Sequence, residues 1–291
     1  MLICFFYQEV YRQLFIMSYV LINGKYVKDD QAKISIKDRG LRFGDGVFET
    51  IKVENAKMKD FSLHYHRLSR GLQAIMLKID LAEIEKNAAL LITKNNLTEG
   101  IIRIMITRGE GSMGYLPAKN IKPNLIIEAL KLPDMLKKEY KLLISNYIKM
   151  PLNALPVQYK LMQGLNSTLA KIVAKKYDYD DALMLNNKGQ ICETASANIF
   201  LLKKGKIYTP SLESPALQGI VREKIITAFS VIEKKIKIKK ISKFDLIFIT
   251  NVSLPLRLVK EIYDEKQNLV WSARNVENSI KLLSKIERFI A

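Results

Sequence analysis

The spacing of apolar residues changes period several times along this chain, and each change marks an element. MSYVLINGKYV reads as two short strands around Asn23-Gly24, a pair that favours a tight hairpin turn. GVFETIKV and AKMKDF continue as strands joined through Glu54-Asn55, after a bend punctuated by Gly40, Gly44 and Gly46. The period then becomes helical from Leu63 to Met76, where Leu68, Leu72, Ile75 and Met76 recur, and again over 81–96. Strands over 101–109, 124–130 and 140–147 complete an expected first α+β domain. The stretch 150–159, with its two prolines, reads as the link to a second domain.

Beyond the link, Lys160 stands on an extended piece, and a helix is predicted from Asn166 to Tyr177. Leu165, Leu169, Ile172, Val173 and Lys176 mark one face of it, with lysines opposite. ALML then turns through NNKG and returns as QICET, a hairpin whose Asn and Gly residues tolerate positive φ. Glu193 ends that core strand, a costly place for a carboxylate unless a cation or donor meets it. NIFLLKKGKIYTP is a further hairpin. Gly219 precedes a predicted helix carrying Val221, Ile225, Phe229 and Ile232, while EKKIKIKKISK (233–243) alternates Ile and Lys as a half-buried strand. DLIFITNVSLPL (245–256) is a strand running into a turn. The expected organisation is an extension over 1–16, a small domain over 17–149, a link over 150–159 and a large domain over 160–291. Residues 1–16 are apolar and aromatic but broken by Gln8, Glu9, Arg12 and Gln13. They lack the pattern of a signal peptide and read as an appended segment ahead of Met17.

Composition narrows the function classes. With 291 residues, 48% of them hydrophobic, the chain can bury a substantial core. No apolar run is long enough for a membrane span. The formal charge of +18 raises nucleic-acid binding as an option, but the 47 Lys and Arg residues are spread along the whole length. No zinc-finger spacing, aromatic–glycine RNA signature or basic tail accompanies them, so a nucleic-acid partner is not expected. Attraction of anionic substrates is the milder consequence. Cys4 and Cys192 form neither a disulfide framework nor a metal motif and suit the reducing cytoplasm. His64 and His66 lie two apart, do not share a helix face, and make no metal pair.

Taken singly, a lysine or a strand-end glutamate in so charged a chain is a solvated surface group. Their company changes that. FGDGVFE, HYHRL, TRGEGSMGY, Lys160, ALMLNNKGQICETASANIF and LQGIVR, in this order, resemble the class IV aminotransferases, the pyridoxal 5'-phosphate (PLP) enzymes of fold type IV. The resemblance implies an α/β (α+β) chain of two domains, a small N-terminal one and a larger C-terminal one with the cofactor in the cleft. It also implies a homodimer whose partner chain helps complete each pocket for a small amino substrate. In this family Lys160 would be joined covalently to the cofactor and act as base at Cα, and Glu193 would hold the pyridinium nitrogen. Arg67 would grip the phosphate. Gly219 and the backbone amides at Ile220 and Val221 would cradle the phosphate from the other side, with Asn251 in the turn that closes the site. Phe48, Arg103, Arg108 and Tyr115 are the candidate substrate contacts.

The resemblance leaves two activities open, of which 4-amino-4-deoxychorismate lyase is the expected one and amino-acid aminotransferase, for branched-chain or D-amino acids, the alternative. Branched-chain enzymes typically carry a tyrosine where Leu165 stands and threonines where Val221 and Val252 stand. D-amino-acid enzymes carry an Arg-x-His pair where Met113 and Tyr115 stand. Leu165, Gly219-Ile220-x-Arg222 and Thr250-Asn251 are similar to the 4-amino-4-deoxychorismate lyases, which favours cleavage to 4-aminobenzoate and pyruvate. Met113, at a position where that lyase has an arginine, favours an amino-acid aminotransferase instead. Arg103 and Arg108 are the candidates to receive a substrate carboxylate in its place.

Overall fold

The structure is a computed structural model that describes residues 19–111, 113–132, 139–253, 255–274 and 276–290. The expected extension over 1–16 and a domain start at Met17 lie outside those residues. The chain divides into two compact units: residues up to 135 with Tyr159–Gln163, and the rest. No helix among the described residues is long and apolar enough to cross a membrane.

The first unit is built on a six-stranded antiparallel sheet. Its strands are β1 (Tyr19–Ile22), β2 (Lys25–Lys28), β3 (Gly46–Glu54), β4 (Lys57–Met58), β5 (Gly100–Thr107) and β6 (Asn124–Leu130), in spatial order β2-β1-β6-β5-β3-β4. A short helix α1 (Arg39–Phe43) precedes β3 and stops at Gly44, whose φ of 65° closes it in the left-handed region. Helices α2 (Phe61–Ala74) and α3 (Ile84–Lys94) supply Leu68, Leu72, Ile84, Ala88 and Leu91 to one face of the sheet, which gives Val47, Ile51, Val53, Ile102 and Ile104. Strand β3 follows the two-residue period with one anomaly: Glu49 is buried in the same inward file as Val47, Ile51 and Val53.

The second unit carries a nine-stranded mixed sheet. In chain order its strands are β7 (Glu139–Ile144), β8 (Asp181–Leu185), β9 (Ile191–Thr194), β10 (Asn198–Lys203), β11 (Lys206–Pro210), β12 (Val231–Lys234), β13 (Leu246–Thr250), β14 (Arg257–Tyr263) and β15 (Leu269–Ser272). The helices are α4 (Leu165–Lys176), α5 (Ile220–Ala228) and α6 (Glu277–Ile290). Strands β10 and β13 are apolar on both faces because both are covered. Ile199, Leu201, Ile247 and Ile249 join a core with Trp271, whereas Phe200, Leu202, Leu246 and Phe248 pack on Ile225, Ile286 and Ile290 of the helices.

Four expectations need correction. The strand expected to finish the first domain, β7, pairs in parallel with β14 and β8, so residues from 139 to 158 belong with the second unit and Tyr159–Gln163 with the first. The chain therefore passes between the units at 158/159, inside the expected link, and again at 163/164. The helix after Gly219 ends at Ala228, and Val231 and Ile232 enter β12. The Ile/Lys run is no single strand: β12 stops at Lys234, and a 3-10 helix over Ile238–Lys243 puts Ile241 inward. Helix α4 buries its small residues, Ala170 and Ala174, against Ala182 and Met184, while Leu165 and Ile172 are exposed. Close approach to β8 needs alanines, so the larger residues are turned outward.

Candidate active site

Glu193 lies on the short strand β9, opposite Met184 of β8, in a hairpin turned at Gly189. Its carboxylate is 5% exposed and meets three donors. Lys149 Nζ is 2.6 Å from Oε1, while Asn198 Nδ2 and the Leu217 backbone N–H each donate to Oε2 at 3.0 Å. The sequence demanded a cation or donor for this acid, and the structure supplies both. The same Asn198 amide also donates to the Leu217 carbonyl at 2.9 Å. A Cβ at Gly219 would collide with Oδ1 of Asn198, so glycine is required there by packing. The hairpin is closed by buried Asp181, which accepts from the Thr194 hydroxyl at 2.9 Å and the Ser196 hydroxyl at 2.6 Å. Beside Glu193, burial and the neighbouring carboxylate push the Cys192 thiol up to about 12, although Lys149 pulls the other way. It is held as a thiol and takes no part in nucleophilic chemistry.

Helix α5 begins at Gly219 with no side-chain cap, so the first amides at Ile220 and Val221 are offered without a capping oxygen. Nearby in sequence to the expected closing turn, the Thr250 hydroxyl at the end of β13 is buried with no hydrogen-bond partner. Asn251 donates to the Ser196 carbonyl at 3.0 Å. Arg222 is committed elsewhere, to the Pro210 carbonyl at 3.0 Å and Glu233 at 2.5 Å, so it ties α5 to β11 and β12.

In the first unit, Lys160 is fixed by its backbone. The Phe48 N–H donates to the Lys160 carbonyl at 2.9 Å, and the Met162 N–H donates to Gly46 at 3.0 Å. The Lys160 ammonium lies 4.3 Å from the centroid of the Phe48 ring. Phe48, Thr50, Met105 and Arg103 share the sheet face opposite the helices, since Phe48 pairs with Met105 and Thr50 with Arg103. Arg103 meets Glu128 across the sheet at 3.9 Å, and its Nε, though buried, has no hydrogen-bond partner. Burial raises the Glu128 carboxyl and Arg103 only partly counters it. Arg108 is spent on Asp45 at 2.8 Å and on the carbonyls of Ile75 and Met76. Tyr115 is 87% exposed, its backbone oxygen held by Arg39 at 2.6 Å. His66 is exposed, and no metal-binding group of His, Cys, Asp and Glu occurs among the described residues.

Arg67 is 3% exposed and clamps Glu49 with Nε and Nη2, each at 2.7 Å, while His64 Nδ1 lies 2.7 Å from Oε2. Burial alone would raise the Glu49 carboxyl; the Arg67 charge and the hydrogen bonds overcome it and hold it down at about 2. Neither Glu49 nor Lys149 was among the expected site residues. Glu49 had a readable signal, an acid in the inward file of an alternating strand. Lys149 had none, because it sits on an irregular segment with no period.

A family model described as amino-transferase class IV matches residues 46–262. A protein of Methanocaldococcus jannaschii, provisionally named a branched-chain-amino-acid aminotransferase, is 32% identical over 251 residues, 84% of this chain and 87% of that protein. A D-alanine aminotransferase of Staphylococcus epidermidis is 32% identical over 213 residues, 72% of this chain and 74% of its own. Among solved structures, the Escherichia coli branched-chain amino acid aminotransferase has a TM-score of 0.85 at 23% identity, covering 94% of this chain and 95% of that one. A 4-amino-4-deoxychorismate lyase from Pseudomonas aeruginosa has 0.79 at 21%, covering 92% and 98%. These two likenesses speak for the fold.

The residues present fit PLP. A buried carboxylate with a free lone pair suits a ring N–H, and an uncapped helix start with an orphan hydroxyl in the same unit suits a phosphate. On the family match, which takes in most of the chain, this protein belongs to the class IV aminotransferases, enzymes that work through PLP.

Proposed function

We propose that the chain is an amino-acid aminotransferase, moving an amino group from a branched-chain or D-amino acid to a 2-oxo acid. The observation that carries this choice is the 32% identity to aminotransferases over most of the chain. It outweighs the lyase reading drawn from the sequence. Part of that reading also loses its force, because Arg222, one of its markers, is engaged with Pro210 and Glu233.

PLP, when bound, supplies a ring that accepts the electron pair left at the substrate Cα. Lys160 would provide the amine that holds the cofactor and the base that moves the substrate Cα proton. Glu193 would accept the ring N–H through the lone pair that its three donors leave open. As in the family, the amides of Ile220 and Val221 would offer donors to a phosphate and so would the guanidinium of Arg67, while Asn251 would steady the turn after β13. Phe48 forms a wall at the lysine. Arg103 receives the substrate carboxylate: it has the orphan Nε, and its long contact with Glu128 leaves donors to spare. Arg108, whose donors are occupied, keeps its own loop in place, and Tyr115 contributes at the pocket's rim. The working form is a cytoplasmic homodimer. The exposed Leu41, Met113, Tyr115 and Leu116 of the first unit support self-association.

The second reading, 4-amino-4-deoxychorismate lyase, retains one favouring observation, Leu165 in place of the tyrosine typical of branched-chain enzymes. Leucine and D-alanine, each with 2-oxoglutarate, and aminodeoxychorismate alone would be assayed in parallel. Glutamate formed with either amino acid supports the proposal. Release of 4-aminobenzoate and pyruvate with no amino transfer overturns it in favour of the lyase. Lys160→Ala is expected to abolish both turnover and the visible absorption of the lysine-bound cofactor.

A further inference from the structure

Lys149 is a cation buried to 9% exposure that the chemistry above does not use. Lysine is seldom buried without a partner, and its partner here is Glu193. Its backbone N–H donates to the Leu185 carbonyl at 2.9 Å, which fixes the residue beside the end of β8 and leaves the side chain to reach across to β9. The carboxylate it reaches offers about four lone-pair sites. Asn198 and the Leu217 N–H occupy two on Oε2, and Lys149 occupies one on Oε1. The site left over is on Oε1, the oxygen already turned by Lys149.

A buried ion pair is a weak source of stability compared with apolar packing of the same volume, so its retention points to a role other than holding the fold. We propose that Lys149 is a positioning residue for the reaction: its ammonium holds the Glu193 carboxylate oriented so that the remaining lone pair of Oε1 meets the ring nitrogen. This rests on the assignment of Glu193 to that nitrogen. The two neutral donors on Oε2 fix the other end of the carboxylate. Asp181 and Asp180, the acids of the adjacent strand and its approach, have the same sign as Glu193, and Cys192 is held as a neutral thiol, so Lys149 is the cation the structure puts on this carboxylate. A carboxylate deprived of it would be free to swing away from the nitrogen. The ring N–H then loses its acceptor, and the ring accepts electrons poorly.

The test compares wild type with Lys149→Met, Lys149→Arg, Glu193→Gln and the Met/Gln double variant. PLP dissociation constants, visible spectra, and kcat and KM for the amino donor would be measured, along with melting of the cofactor-free proteins. Lys149→Met is expected to lower kcat about tenfold to a hundredfold with KM nearly unchanged, the size of loss seen when a residue supporting a ligand is removed. It should also shift the visible band and weaken PLP binding. Lys149→Arg should recover most of each, because it restores a cation. In the cofactor-free protein, Lys149→Met lowers the melting temperature, and adding Glu193→Gln restores part of the loss. If Lys149→Met does not fold, Lys149→Gln takes its place. Wild-type spectrum, affinity and kcat in Lys149→Met, beside an impaired Glu193→Gln, would overturn the role of Lys149. An unimpaired Glu193→Gln would instead overturn the assignment of Glu193 itself.

Discussion

Glu49 in the first unit and Glu193 in the second are both strand carboxylates buried beside a cation, yet the two pairs run in opposite directions. Glu49 faces a planar guanidinium that binds both of its oxygens, with an imidazole as a third partner, and all three contacts come from helix α2. Glu193 faces a single ammonium on one oxygen and two neutral N–H groups on the other. In the first pair the acid aims an arginine; in the second a lysine aims an acid. The two carboxylates carry the same pattern of contacts, one on one oxygen and two on the other, and differ in the donors: a charged planar fork with an imidazole at Glu49, a point charge with two neutral N–H groups at Glu193. On the roles proposed above, the kind of donor and not the degree of burial separates a supporting carboxylate from a working one.

The hardest blow to this comparison would come from Arg67→Met. It strands Glu49 in the core and should cost about 3–5 kcal/mol in urea unfolding, since breaking a buried pair leaves an uncompensated charge. A loss below about 1 kcal/mol would mean that Glu49 is not locked as described. Acid offers a milder version. The Glu49 carboxyl is held at about 2, below its unfolded value near 4.5, so its contribution is complete above that unfolded value. It drains away as pH falls toward 2, by about 3 kcal/mol in all. Urea unfolding at pH 7, 4 and 3 should show that slope, and Glu49→Gln should flatten it.

Glu193→Gln is expected to reverse the balance, with a stability cost of only about 1–2 kcal/mol beside a loss of most turnover. The lysine it orphans borders a cavity of about 300 Å³ lined also by Leu152, Asn187 and Lys188, so the ammonium can turn toward water. Arg67 is 3% exposed. A melting loss as large as that of Arg67→Met would erase the contrast. The smallest effect belongs to α4: Leu165→Ser, at 70% exposure, should stay within about 0.5 kcal/mol, whereas Ala170→Leu should cost about 1–3 kcal/mol by overpacking β8.

These same residues mark how far the chain could be read in advance. The hairpin carrying Glu193, the strand carrying Phe48 and the helix carrying Arg67 were legible, because each has a local period or turn signal that its neighbours do not override. Strand β7 was not. Its partners β8 and β14 lie far downstream, and only their pairing tells which sheet it joins. Helix α4 was placed along the chain but turned the wrong way, since reading the largest apolar residues as buried fails where a helix must come close to a strand. The Ile/Lys run failed for a related reason: alternation predicts a strand until a three-residue spacing, Ile238 to Ile241, proves equally able to bury its isoleucines. Beyond 256, α6 does carry a helical period, with Ile286 and Ile290 buried and Leu282 and Leu283 packed beside them, and it went unassigned for want of reading and not of signal.

Asn198 joins Glu193, the Leu217 carbonyl and the space a side chain at Gly219 would fill. One amide thereby spans the acid and the start of α5, so these places cannot be exchanged separately. A chimera that imported the 217–222 segment from a relative with a bulkier residue at 219 would displace this asparagine and turn the acid, even with every ligand-facing group retained. Transplants across this region should therefore move as a block that includes position 198.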